Sequence, residues 1–153
     1  MRSVLLSILL FTTSIVHEVT LAMTDAPILR VARPTNDMAM ILKFYRDGVG
    51  LNVLYEFRDH DGFDGVMLGR PGAPYHLEFT SQRGHVVPGA PSQDNLLVFY
   101  LPVGSEYAAA LQRMQAQGFA PVPSCNPYWD EGGTTFEDGE GYRVVFYNGQ
   151  WPH

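Results

Sequence analysis

Tyr75-His76-Leu77-Glu78-Phe79 and Tyr142-Arg143-Val144-Val145-Phe146 are the two stretches whose reading decides the fold. Each follows a glycine-containing turn, Gly69-Arg70-Pro71-Gly72 before the first and Gly139-Glu140-Gly141 before the second. Both carry the aromatic and branched apolar residues that suit a strand. Upstream of Tyr75, strand candidates Leu51 to Phe57 and Gly65 to Leu68 are separated by the turn-forming Arg58-Asp59-His60-Asp61-Gly62. Before them, Met38, Ile41, Leu42 and Tyr45 recur at helical spacing. The turn Pro34-Thr35-Asn36-Asp37 supplies capping side chains for that helix, and Gly48 and Gly50 end it. With Ile28 to Val31 as a first strand, the unit reads strand, helix, three strands.

The same order leads up to Tyr142. Asn95 to Leu101 is an apolar strand, and Gly104-Ser105-Glu106 opens a helix whose Tyr107, Ala110, Leu111 and Met114 share one face until Gly118. Phe119 to Val122, Thr134 to Phe136 and Tyr142 to Tyr147 then supply three strands. The period is near 68 residues, the spacing from Gly50 to Gly118. That is too long for a solenoid repeat, and two copies are too few for such a stack. The expected fold class is therefore α+β, with two tandem βαβββ modules forming a curved mixed sheet around a pocket. One domain spans 27–148, with module one at 27–81, a Pro- and Gly-rich linker at 82–93 and module two at 94–148. In each module the helix covers one sheet face, and the uncovered faces are where a ligand cleft is expected.

Composition narrows the function. At 153 residues and 46% hydrophobic, the chain is long enough for a real core. A net charge of -6 with only ten Lys and Arg, scattered, argues against a nucleic-acid partner, which needs clustered cations. A small organic ligand, aromatic or anionic, is the better fit. The single cysteine, Cys125, excludes an intrachain disulfide and a cysteine-based metal cluster, and it reads as a loop thiol unless a partner histidine makes it a nucleophile.

Residues 1–22 stand apart. Met1 and Arg2 precede the apolar run Val4 to Phe11, and Thr20-Leu21-Ala22 has the small residues of a cleavage site. Met23, followed by Thr24-Asp25-Ala26-Pro27, reads equally as the start of a soluble chain. The protein is expected to be secreted or periplasmic on the first reading and cytoplasmic on the second.

Asn36-Asp37, the run Phe44-Tyr45-Arg46-Asp47-Gly48-Val49-Gly50, the Tyr75 to Phe79 strand, Gln117-Gly118-Phe119 and Phe136-Glu137-Asp138-Gly139-Glu140-Gly141-Tyr142 together resemble the vicinal oxygen chelate superfamily. That superfamily comprises glyoxalase, bleomycin-resistance and extradiol-dioxygenase proteins. The stretches His60 to Gly69 and Leu96 to Pro102 are similar to a glyoxalase-like subgroup of it. The resemblance covers about residues 28–148 and implies the glyoxalase/bleomycin-resistance-like fold with a metal or ligand site inside the sheets. It also implies metal ligands on the first and last strands of each module. Mapped residue by residue, those positions fall on Arg30, Glu78, Asn95 (or Leu96 with the register shifted by one) and Val145.

Of these, only Glu78 is a good ligand, because an arginine keeps its proton and repels a cation. The expectation is an Arg30–Glu78 pair, either a structural charge match or an anchor for a carboxylate or phosphate. No cofactor is favoured. If a divalent metal binds, Glu78 and His76 are its expected ligands, since they lie two apart on one strand face, with His60 or His85 as additional donors from loops. His76 and Glu78 are also the candidates for any catalytic role. Asn95, Tyr128 and Trp129 join Arg30 and Glu78 as candidate ligand-binding residues. The aromatic pair either lines the pocket or packs its loop down, and Phe63, Met67, Phe99 and Tyr147 add apolar surface. Three functions follow: a metal-independent binding protein of the bleomycin-resistance-like kind, a metal-dependent glyoxalase- or dioxygenase-like enzyme using Glu78 and His76, and a structural or regulatory module with a vestigial pocket. Related folds pair modules across chains, which makes a homodimer an expectation by analogy.

Overall fold

The computed structural model describes residues 27–151. The reading of residues 1–22 lies outside the described residues. Two modules follow one another in the chain. The first runs β1 (Leu29–Pro34), α1 (Met38–Ile41) continuing as a π-helix over Leu42–Gly48, β2 (Asn52–His60), β3 (Phe63–Gly69) and β4 (Tyr75–Gln82). The second runs β5 (Leu96–Tyr100), α2 (Gly104–Ala116), β6 (Pro121–Val122), β7 (Gly133–Glu137) and β8 (Arg143–Tyr147), with a short 3-10 turn at Pro127–Asp130. Each module makes a four-stranded mixed sheet, in the orders β1-β4-β3-β2 and β5-β8-β7-β6. The first strand of each is parallel to the last, and the remaining pairs are antiparallel. The tandem βαβββ architecture read from the sequence is the observed one.

Local chemistry explains the elements. Asp37 caps α1 by accepting from the Met40 amide at 2.9 Å. The helix then widens instead of continuing as α, and the Val49 amide reaches back to the Phe44 carbonyl at 2.8 Å, a five-residue span. The widened turns place Phe44 and Tyr45 fully inside. Gly50 and Gly118 adopt φ of +89° and +86° directly after the helical segments, a conformation glycine reaches at little cost. β1 extends to Pro34, three residues beyond the Val31 limit read from the sequence, because β4 continues to hydrogen-bond it through Thr80. The strand expected at Phe119 to Val122 shrinks to Pro121–Val122, since Pro121 breaks its start.

A single core unites the modules. Leu68, Leu77 and Phe79 from the first sheet and Phe136, Val144 and Phe146 from the second pack against Ile41, Phe44, Tyr45, Ala110 and Met114 from the helices. The helices approach closely at Gly48, where a Cβ would lie 2.6 Å from the Met114 sulfur. A buried polar clasp adds to this packing. The Arg33 guanidinium on β1 pairs with Asp138 and Glu140 in the β7–β8 turn and lies 3.7 Å over the Tyr142 ring. The Tyr45 hydroxyl donates to the same Asp138 oxygen at 2.9 Å. Asp138 also accepts from the Glu140 and Tyr142 amides, so this buried carboxylate is fully engaged.

Because the helix-side face of each sheet is consumed by this core, the alternate residues point to the opposite, outer face. Leu77 and Phe79 are buried on the helix side, which sends His76 and Glu78 outward on β4.

Candidate functional site

Three charged or polar side chains meet on the outer face of module one. Arg30 on β1 lies opposite His76 on β4. Its Nε donates to His76 Nε2 at 2.9 Å, and its Nη1 faces both Glu78 oxygens at 3.4 and 3.5 Å. The side chains of Arg30 and Glu78 are 50% and 15% exposed, so the guanidinium is half in solvent while the carboxylate is mostly covered. The Nε donation uses the Nε2 lone pair of His76, which fixes the imidazole as the tautomer with its proton on Nδ1. Arg30, His76, Leu54, Tyr55 and Met67 line a hollow of ≈ 220 Å³. Gly69 lies beside His76 in the sheet, and a Cβ there would meet Leu54 Cδ1 at 2.9 Å and His76 Cβ at 3.2 Å, so glycine leaves room for both.

The corresponding face of module two is chemically different. Leu96 lies opposite Arg143 as Arg30 lies opposite His76, and Val145 lies opposite Thr135 as Glu78 lies opposite Met67. The buried Arg143 is held by Glu137 at 2.7 Å and by the Pro123 carbonyl at 3.2 Å. Aromatic rings cover the far end of this face. Tyr147 meets Tyr128, Trp129 and Tyr100 at centroid distances of 6.3, 6.0 and 5.6 Å, and Trp151 packs edge-on against Tyr100 at 5.5 Å. The neighbouring Tyr128, first, raises the Tyr147 hydroxyl above its ordinary range. Between the modules, β1 and β5 border a cleft of ≈ 460 Å³ lined in part by Ala32, Pro34, Asn95, Leu96 and Arg143.

Comparison with known proteins places this geometry. The YycE-like N-terminal domain matches residues 29–80, and the YycE-like C-terminal domain matches residues 94–148. The chain belongs to the YycE-like family. Its relative in Bacillus subtilis (strain 168), the uncharacterized protein YycE, is 47% identical over 120 residues, covering 78% of this chain and 86% of the relative. The crystal structure of a Bacillus subtilis YycE protein of unknown function superposes with a TM-score of 0.76 at 45% identity, over 81% of this chain and 90% of that one. The fosfomycin resistance protein FosX of Listeria monocytogenes, solved with Mn(II) and a dihydroxypropylphosphonic acid, shares the fold at a TM-score of 0.59 and 13% identity, covering 84% of this chain and 93% of that one. The YycE-like chain is thus a vicinal oxygen chelate fold protein.

Do its residues fit the metal of such folds? The four mapped positions hold Arg30, Glu78, Leu96 and Val145. Among the described residues no three of His, Cys, Asp and Glu converge as a metal site. The point toward which His76 Nε2 and Glu78 both aim is filled by the Arg30 guanidinium, and two positions across the modules offer only hydrocarbon. This donor set does not fit a divalent cation.

Several residues named from the sequence fall in different places. Arg30, His76 and Glu78 come together. Asn95 does not join them: it precedes β5, is exposed and donates to the Ser92 carbonyl, and Leu96 takes the strand position because the parallel register sets Leu96 against Arg143. Tyr128 and Trp129 pack on Tyr147, away from Arg30's hollow. His60 is exposed at the β2–β3 hairpin, 3.9 Å from Asp61, and Phe99 lies on the helix side against the core. Sequence reading missed Leu54 and Tyr55 as walls. A register shift between Val53 and Tyr55 breaks the alternation that would have pointed to them. Trp151 lay beyond the last strand and carried no periodic signal at all.

Proposed function

We propose that this YycE-like protein is a metal-independent binding protein for a small anionic molecule, with Arg30 as the anchor. One observation carries the reading: a half-exposed guanidinium, held from behind by Glu78 and His76, stands over a hollow with apolar walls. A carboxylate or phosphonate head takes the open guanidinium edge in two-pronged fashion, and an apolar or aromatic body lies on Leu54, Tyr55 and Met67. Some structural neighbours are antibiotic-binding or phosphonate-bound proteins, which supports a small-molecule ligand of this kind.

The test combines metal analysis with a ligand screen. Protein purified without chelator is expected to hold transition metals far below one per chain by mass spectrometry, and its melting temperature is expected to rise with the concentration of aryl carboxylates or phosphonates, as mass action requires. A stoichiometric metal lost in Glu78→Ala would favour instead the enzyme reading with Glu78 and His76 as ligands.

We further infer a homodimer. Ile28, Leu29 and Val31 at the β1 edge leave apolar surface uncovered in one chain, outside the hollow beside Arg30, and a second copy covers it. Sedimentation is expected to give twice the chain mass, falling to the chain mass in Leu29→Glu.

A further inference from the structure

We propose that His76 determines specificity by reading a hydrogen-bond donor next to the ligand's anionic group, and that Arg30 masks it until an anion binds. This rests on the anion-binding reading of the same site and adds the class of ligand. In the free protein Arg30 Nε occupies His76 Nε2 at 2.9 Å, while Nη1 faces Glu78 at 3.4 and 3.5 Å. Nη2 has no partner among the described residues. An incoming oxyanion that grips two adjacent nitrogens competes with the partners already present, and those partners are unequal. Both bonds start from the ionised guanidinium, but only Glu78 carries the opposite charge, and releasing it would leave a carboxylate that is mostly covered without its counter-charge. The imidazole is therefore the partner that yields. The oxyanion takes the Nε–Nη2 edge and Glu78 keeps Nη1.

Displacement leaves the Nε2 lone pair free in the wall of the hollow that Arg30, Leu54, Tyr55 and Met67 also line. A ligand group that donates to Nε2 holds the same tautomer, with the proton on Nδ1, that the Arg30 donor holds in the free protein. A hydroxyl or N–H on the carbon beside the anionic group fills that acceptor, whereas a ligand with plain methylene there leaves it unmatched. The ligand class is thus a small organic acid, carboxylate or phosphonate, with a hydroxyl or amino group on the neighbouring carbon and an apolar body.

Mandelate and phenylacetate test this, since they share charge and ring and differ by that one hydroxyl. Titration calorimetry on the full chain is expected to show mandelate binding about fivefold tighter to the unsubstituted protein. His76→Phe is expected to bind both acids equally, and Arg30→Met neither. A ligand-free arm examines the mask itself. Carbethoxylation of His76, followed by peptide mass spectrometry with exposed His60 as internal reference, is expected to be about tenfold faster in Arg30→Met. Equal affinity of the unsubstituted protein for the two acids overturns the specificity role while leaving anion binding intact. Binding of neither acid overturns both. An unchanged His76 rate in Arg30→Met overturns the mask.

Discussion

Arg30 and Arg33 sit three residues apart on one strand and face opposite sides of its sheet. Arg33 is 12% exposed in its side chain and grips a carboxylate that is 0% exposed, so removing the guanidinium strands Asp138 in the interior. Arg33→Met is expected to cost about 3 kcal/mol in urea unfolding, the penalty of an uncompensated buried charge. Arg30→Met, at a half-exposed pair screened by solvent, is expected to cost less than about 1 kcal/mol while abolishing anion binding. Tyr45 belongs with Arg33. Burial first, then the Asp138 charge, push its hydroxyl far above the ordinary range, so it remains a donor to Asp138 at every pH the fold survives. Tyr45→Phe is expected to destabilise by about 1 to 2 kcal/mol without altering ligand affinity, separable by unfolding and binding measurements on one preparation. The Arg30–Glu78 pair was legible in the sequence because both positions follow from the strand pattern and the resemblance. The Arg33 clasp was not, because its partners lie more than a hundred residues away in a turn whose packing no local pattern reports.

Element ends were readable where glycine marks them. Both helical segments stop before a glycine of positive φ, and any other residue there is strained. Gly118→Ala, with open space around its Cβ, is expected to cost about 1 kcal/mol. Gly50→Ala is expected to cost more, because its Cβ would also crowd Arg113 Nε at 3.1 Å, whose guanidinium donates to the Val49 carbonyl; paired unfolding curves decide the order. The interior of the first helix was less legible. Apolar spacing shows that Met38, Ile41, Leu42 and Tyr45 share a face, but it does not distinguish α from π winding when the run is so short. Strand register was the other weak point. Asn95 and Leu96 are both compatible with an apolar strand start, and the parallel pairing with β8 chooses between them.

At the scale of the molecule, the duplication was plain in the order of elements, but the division of labour between copies was only partly so. Glu78 against Val145 and Arg30 against Leu96 place the charge in module one. The aromatic cluster around Tyr147 gives module two its own surface, half of it contributed by Tyr100 and Trp151, which no pattern singled out. How the copies pack was not written in either repeat, since it depends on Gly48 meeting Met114 and on the clasp across the modules.

The guanidinium over Glu78 and His76 is synthesised with the chain and not collected from its surroundings. Its positive charge cannot be stripped by a chelator, exchanged for a competing ion or lost when a cell is starved of metal. It is in place as soon as β1 pairs with β4, so on the proposed metal-independent reading this face needs no loading step and is ready once folded.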